Sequence, residues 1–229
     1  MTVALITGAN RGIGFETARQ LLALGHTVYI GARDAERGGK AAAELGAQFV
    51  QLDVTDDASV SQALEAIGRT EGALDVLVNN AGVMATGVPD GPSALRSFDT
   101  NAVGIVRVTE AALPWLRRSA NPVVVNITSS MGSFWAVTNP ERPESTIGTA
   151  PLYAASKAAA NMLTVQYAKA HPEVKFNAVE PGFTATDMTA DMDGGRPVQD
   201  SAAVVARLAT LDVDGPTGTF TDESGVLPW

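Results

Sequence analysis

Cysteine is absent from the 229 residues, so disulfides, thiolate catalysis and cysteine metal sites are all excluded. Histidine is almost absent. His26 and His171 are the only two, which leaves a Ser-His-Asp triad without support. No H-E-x-x-H or other clustered ligand spacing points to a metal, and Asp187, Asp191 and Asp193 read as a solvated loop. No apolar run approaches the ~18 residues of a membrane span, and residues 3–6 are too few for a signal peptide. A soluble cytoplasmic protein without a membrane partner is therefore expected. Basic residues are outnumbered, 16 Lys and Arg against 25 Asp and Glu, for a net charge of −9. That balance argues against a general nucleic-acid binder, which must neutralise phosphates.

What is present is a globular composition, 45% apolar and 18% charged, at a length that suits one domain spanning residues 1–229. Val3–Thr7 is a continuous apolar run, the mark of a strand buried on both faces. A glycine-rich turn follows at residues 8–14. A helix is expected over residues 15–24, stopped by Gly25 as a left-handed cap. Further strands are expected at residues 27–30, 48–52, 74–78, 123–127, 174–179 and 218–220. Helices are expected at residues 35–45, 57–69, 97–118, 152–170 and 198–211, with Pro114 kinking the fourth helix of the chain. Strict alternation of strand and helix predicts an α/β fold, a parallel sheet with helices on both faces. Ligands of such sheets bind beyond the carboxyl ends of the strands. Residues 132–150 and 187–197 carry no regular pattern.

Most of the chemistry-bearing residues follow strands. Gly8, Gly12 and Gly14 are spaced G-x-x-x-G-x-G between a buried strand and an amphipathic helix. Glycines there let the backbone approach a pyrophosphate, and the helix N-terminus offers free N–H groups. Asn79-Asn80-Ala81-Gly82 fits either an ordinary turn or a strand end over which a ribose lies close. Asn101 falls inside an expected helix, where it either faces solvent or bonds a water and backbone beneath a site. Thr128-Ser129-Ser130 supplies hydroxyls for a substrate oxygen or for capping. Pro151 suits a first helical turn, so a helix begins near residues 149–151 and places Tyr153 and Lys157 at i and i+4 on one face. An ammonium beside a phenol favours the phenolate, so the pair reads as a tyrosine acid/base with a lowered pKa. Phe134, Trp135, Phe183 and Trp229, with Met131 and Met188, fit an apolar pocket or the core.

TGANRGIG, NNAG, TNAVG, NITSSMG, YAASK and EPGFTATDM follow, in this order, the motifs of the short-chain dehydrogenase/reductase superfamily, which the chain resembles over nearly its whole length. GARDAERG and GPTGTF are most similar to the carbonyl reductase branch. The resemblance implies a single-domain Rossmann-type doubly wound sheet and NADP(H)-dependent interconversion of a carbonyl and an alcohol. The alternative is a nucleotide-binding regulatory protein with little turnover. The resemblance further implies Tyr153 as acid/base, Lys157 holding the nicotinamide ribose, Ser129 binding the substrate oxygen and Asn101 fixing a water in a proton relay. It puts Gly8, Asn10, Arg11, Gly12, Ile13 and Gly14 around the pyrophosphate. Asp53 with Val54 falls at the adenine, and Asn80, Ala81 and Gly82 near the adenosine ribose. Pro181, Gly182 and Thr186 fall at the nicotinamide. Glu180, before Pro181, departs from the family's usual run and receives no role from it.

NADP differs from NAD by a 2′-phosphate. Strand two ends in Gly31-Ala32, small and neutral, followed by Arg33, with Arg11 inside the glycine turn. Two guanidiniums suit that phosphate, so NADP(H) is the expected cofactor. Many relatives pair through long helices, for which Ala154, Ala158 and Met162 offer a face. The Pro-containing stretch before Tyr153 is of a length to cover it, and a monomer is expected over a homodimer. The expected partner is a small carbonyl or alcohol substrate.

Overall fold

Strand β1 (Val3–Thr7) is buried at every residue, as are β4 (Val76–Asn79) and β5 (Val123–Ile127), because apolar side chains on both faces of a central parallel strand must be covered. They form the middle of one eight-stranded sheet in a computed structural model that describes residues 2–85 and 88–229. The remaining strands are β2 (Thr27–Ala32), β3 (Gln48–Gln51), β6 (Lys175–Val179), β7 (Thr219–Thr221) and β8 (Val226–Leu227). Their order is β3-β2-β1-β4-β5-β6-β7-β8, parallel except for β8. The order reverses between β1 and β4, so the doubly wound α/β architecture is established, and its crevice opens at the strands' carboxyl ends.

Helices α1 (Gly12–Ala23), α2 (Ala35–Leu45) and α8 (Val198–Ala209) cover one face, packing Ala18, Leu21, Ala42 and Val205 against Ala4, Ile6 and Val125. The other face is covered by α3 (Asp57–Glu71), α5 (Gly104–Leu116) and α7 (Pro151–Ala170). There Leu64, Ile67, Leu113 and Tyr167 pack on Val3, Leu5 and Phe176. Residues 3–6 alternate between the two cores, the period-2 projection of a strand. Among the described residues no helix is long and apolar enough to cross a membrane.

Several boundaries differ from the sequence expectation for identifiable reasons. The first helix starts at Gly12, inside the glycine turn, because Arg11 is extended and Gly12 takes φ +60°. Residues 97–118 are not one uninterrupted α-helix beginning at Ser97. Helix α4 (Gly91–Phe98), capped by Asp90, runs into a π-helical turn at Asp99–Val103 before α5, which continues past Pro114. The stretch at 132–150 contains α6 (Phe134–Thr138) and a 3-10 turn at Pro143–Ser145. Trp135 and Trp229 do not line a pocket. Trp229 stacks on Phe220 at 5.5 Å and Trp135 packs on the same small cluster, while Phe134 is exposed.

A buried polar chain locks α7 to the sheet. Asn79 Nδ2 donates to Asn126 Oδ1 (2.8 Å), Asn126 Nδ2 donates to Thr164 Oγ1 (2.9 Å), and Thr164 donates to Ala160 O. Satisfied buried networks stabilise; broken ones leave orphaned groups. Asn126→Ala is expected to cost about 2–4 kcal/mol by removing the buried bonds to Asn79 and Thr164. The thermal midpoint should fall by roughly 5–15 °C, measured by circular dichroism. A fall within the scatter of replicate melts contradicts this.

Candidate active site

The cleft lies where the strand order reverses, and residues following β1 through β7 all contribute to its wall. Its volume is about 1440 Å³, above the ~300–1,000 Å³ of a pocket for one small molecule, so a dinucleotide and a substrate fit together. The glycine turn and the helix end behind it suit a pyrophosphate. Gly8 has φ +63°, and a Cβ there would lie 2.9 Å from Ala81 Cα, so the turn needs glycine to pack against the segment after β4. The N-terminus of α1 is capped by no side chain and carries no acid in its first turn, leaving N–H groups for an anion. Gly14 does not line the cleft; a Cβ there would meet Asn80 Nδ2 at 2.4 Å, so this glycine serves close helix–strand packing.

Gly8, Asn10, Arg11, Gly12 and Ile13 line the cleft, as do Arg33, Asp53, Val54, Asn80, Ala81 and Gly82. Asn80 binds the turn itself: its Nδ2 donates to Thr7 O (2.7 Å) and Gly8 O (3.1 Å). Asp53 accepts from Thr55 N–H and Oγ1 through one oxygen, Oδ1. Arg11 Nη1 reaches across the cleft to Asp187 Oδ2 at 2.7 Å, an exposed pair of little net strength. Thr186 is the nearest side chain to Gly12, which brings the segment after β6 against the glycine turn.

Tyr153, Lys157 and Ser129 converge where α7 passes the ends of β5 and β6. Lys157 is 5% exposed; its Nζ donates to Ile127 O (2.8 Å) and lies 5.6 Å from the centre of the Tyr153 ring. Burial pulls the lysine down to about 8, against the negative charge of Glu180, which pushes it up. The expected lowering of the phenol is not found. Burial raises Tyr153 to about 12, Glu180 adds to the rise, and a hydrogen bond with Ser129 works the other way. The ammonium lies over the ring, where it does little to offset burial. Ser129 faces the tyrosine, whereas the Ser130 side chain bonds Glu144.

Asn101 does not face solvent. In the π-helical turn, 1% exposed, its Oδ1 accepts from Val83 N–H (2.8 Å) and its Nδ2 donates to Val83 O and Ser156 Oγ. A Cβ on Gly82 would be 3.4 Å from Asn101 Oδ1 and 3.5 Å from Lys157 Nζ, so asparagine and lysine flank the same glycine.

Three site residues went unread in the sequence. Glu180 accepts from the N–H groups of Ser130 and Gly182. Arg142 forms a paired contact with Glu144 (2.8 and 3.1 Å) and lies 5.5 Å over the Trp135 ring. Burial pushes the Glu144 carboxyl up, but hydrogen bonds from Arg142 and Ser130 outweigh it and hold the group below its usual range. The only signal for Glu180 was its place before Pro181; for Arg142 and Glu144, two charges beside Pro143 in a stretch without periodicity.

Residues 2–196 match the short chain dehydrogenase family. A short-chain dehydrogenase/reductase of Stachybotrys chlorohalonatus is 37% identical over 99% of this chain and 94% of its own. The structure of salutaridine reductase from Papaver somniferum superposes with a TM-score of 0.86 at 28% identity, over 96% of this chain and 99% of that one. An actinorhodin polyketide ketoreductase with NADPH superposes at 0.84 and 26% identity, over 98% and 96%. With its doubly wound sheet, its glycine turn after β1 and its Tyr–Lys pair on α7, the chain belongs to the short-chain dehydrogenase family of oxidoreductases.

Proposed function

We propose that this protein reduces a ketone or aldehyde to an alcohol with NADPH, the whole chain acting as one monomeric, cytoplasmic catalytic domain. The observation that carries the reading is the meeting of Ser129, Tyr153 and Lys157 in a cleft that continues over the glycine turn to Arg33. A phenol held near 12 is protonated at neutral pH, which suits donation to a carbonyl oxygen rather than removal of an alcohol proton. The similarity to a ketoreductase solved with NADPH supports the same direction.

What a bound NADPH supplies is hydride for the carbonyl carbon. Gly8, Gly12 and the α1 N-terminus hold its pyrophosphate, with Asn10 and Ile13 alongside. Asp53 and Val54 would border the adenine, and Ala81 and Gly82 the adenosine ribose. Pro181, Gly182 and Thr186 border the nicotinamide. The Ser129 hydroxyl orients the substrate oxygen, and the Tyr153 hydroxyl releases its proton to that oxygen as negative charge develops there. Lys157 holds the ribose beside the phenol, and Asn101 steadies the relay that returns the proton. Oxidation of NADPH followed at 340 nm against ketones, aldehydes, diketones and quinones tests the reading. Tight NADPH binding with no turnover on any of them would favour a regulatory protein.

The substrate end of the cleft is lined by Met131, Ile147, Phe183, Met188 and Met192, four of them well exposed and apolar. Flexible thioethers beside one aromatic ring suit bulky apolar carbonyls of varied shape. Phe183, 46% exposed, is the largest. Phe183→Ala is expected to raise KM for aromatic ketones by about tenfold through lost contact area, and to leave that for acetone-sized ketones within about twofold. Equal effects on both remove Phe183 from the pocket.

A further inference from the structure

We propose that Glu180 is a positioning residue for the reduction, pinning the Ser129 turn to the Pro181–Gly182 turn and holding a fixed negative charge against the Tyr153–Lys157 pair. This inference rests on the carbonyl reductase reading for its kinetics but not for its geometry.

Glu180 directly follows β6, and its backbone N–H is anchored to Thr221 O on β7 at 2.9 Å. Its side chain turns back between the ends of β5 and β6. Oε2 accepts from Ser130 N–H, the residue next to Ser129, and Oε1 accepts from Gly182 N–H at 2.7 Å. Gly182 has φ +81°, and the last backbone bond between β5 and β6 at this end, among the described residues, is Thr128 N–H to Val179 O. Glu180, 9% exposed, thus bonds both turns through one side chain. Charge-assisted bonds from backbone N–H to carboxylate are among the stronger ones available.

The same carboxylate faces the catalytic pair. Ile127, whose carbonyl holds Lys157 Nζ, is registered opposite Val179, the residue before Glu180. The charged and titratable neighbours are Tyr153 and Lys157 from α7, Arg142 with Glu144 from the stretch after β5, Arg196 with Glu223 beyond Gly182, and Asp222 after β7. Arg142 and Arg196 hold other carboxylates at 2.8 and 2.5 Å; the Glu180 charge acts on Arg142 as well as on Lys157. That charge favours the ammonium and disfavours the phenolate, so the lysine stays charged and the tyrosine keeps its proton.

The test compares the wild type with E180Q, E180D and E180A, using NADPH and a ketone that the wild type reduces. In E180A, amide exchange at Ser130 and Gly182 should quicken by about tenfold or more as both donors lose their acceptor. In E180Q, kcat should fall by about tenfold while the NADPH dissociation constant stays within about twofold. The alkaline limb of kcat/KM should move to lower pH by about half a unit or more, since Lys157 and Tyr153 both lose protons more readily. E180D keeps the charge, so its limb should stay near the wild-type position even where its rate falls. Wild-type exchange, rate and limb in E180Q and E180A overturn the proposal. Should the wild type reduce no carbonyl, the functional reading fails separately. Exchange at the two amides, and Tyr153 ionisation read as the absorbance difference from Tyr153→Phe, then decide on Glu180.

Discussion

Tyr153→Phe is expected to lower kcat for carbonyl reduction by about a hundredfold to ten-thousandfold, the range over which a positioned general acid contributes. The cofactor's dissociation constant should stay within about twofold, because the change removes a hydroxyl and leaves the ring that Lys157 overlies. Lys157→Ala should damage both quantities, since the same ammonium serves the ribose and the pair. The pH dependence separates the two residues. The free protein's phenol lies near 12, so it is protonated across the working range and produces no limb there. Lys157 lies near 8, its charge present below that pH and lost as pH rises through it. Reductive kcat/KM, which reports the free enzyme, should therefore fall above about 8, and the limb should vanish in Lys157→Met along with most of the activity. Unchanged kcat in Tyr153→Phe, measured as NADPH oxidation under saturating ketone, removes the tyrosine from the chemistry.

Those opposed shifts mark where the sequence stopped being legible. Spacing at i and i+4 was enough to place Tyr153 and Lys157 on one helix face, because that follows from helix geometry alone. It said nothing of how deeply α7 is buried, and burial outweighs the ammonium in setting the phenol. Val3–Thr7, Ala35–Leu45 and Val123–Ile127 were readable to the residue, since continuous apolar runs or a capping Asp34 with Gly46 bound them. The π-helical turn at Asp99–Val103 was not, because no residue type in that run marks the extra residue in the turn. Trp135 and Trp229 could not be assigned between pocket and core, because an apolar ring suits both equally; the structure puts them with Phe220. Glu180 was visible only as a departure. Its two donors are backbone N–H groups fifty positions upstream and two downstream, and only the β5–β6 pairing brings the first of them near.

The unmutated protein should prefer NADPH to NADH by about a hundredfold or more in kcat/KM, taking ~1.5–3 kcal/mol for each of two charge-assisted contacts to the 2′-phosphate. Position argues for Arg33 as the first contact. It follows β2 at the sheet end where the adenosine half would lie, it lines the cleft, and it is exposed. The competing possibility, a surface arginine neutralised by Asp34 or Glu36, does not match the contacts. Asp34 caps α2 through Arg37 N–H at 3.0 Å and stands 3.5 Å from the Arg37 guanidinium, and among the described residues Arg33 has no ion pair. Arg11 differs, because its guanidinium is held by Asp187 at 2.7 Å. Both partners are well exposed, so water screens the pair and its rupture costs little, and a dianionic phosphate is the stronger competitor. The two arginines should therefore contribute unequally. Arg33→Ala is expected to weaken NADPH by about tenfold or more and leave NADH nearly unchanged, while Arg11→Ala loses less because it also frees Asp187 from its partner. Asp187→Asn should go the other way and tighten NADPH slightly, by releasing Arg11. Titration of both cofactors into the wild type and the three variants, followed by nucleotide fluorescence, reads all of these at once. Equal kcat/KM for NADH and NADPH in the unmutated protein would end the argument for Arg33.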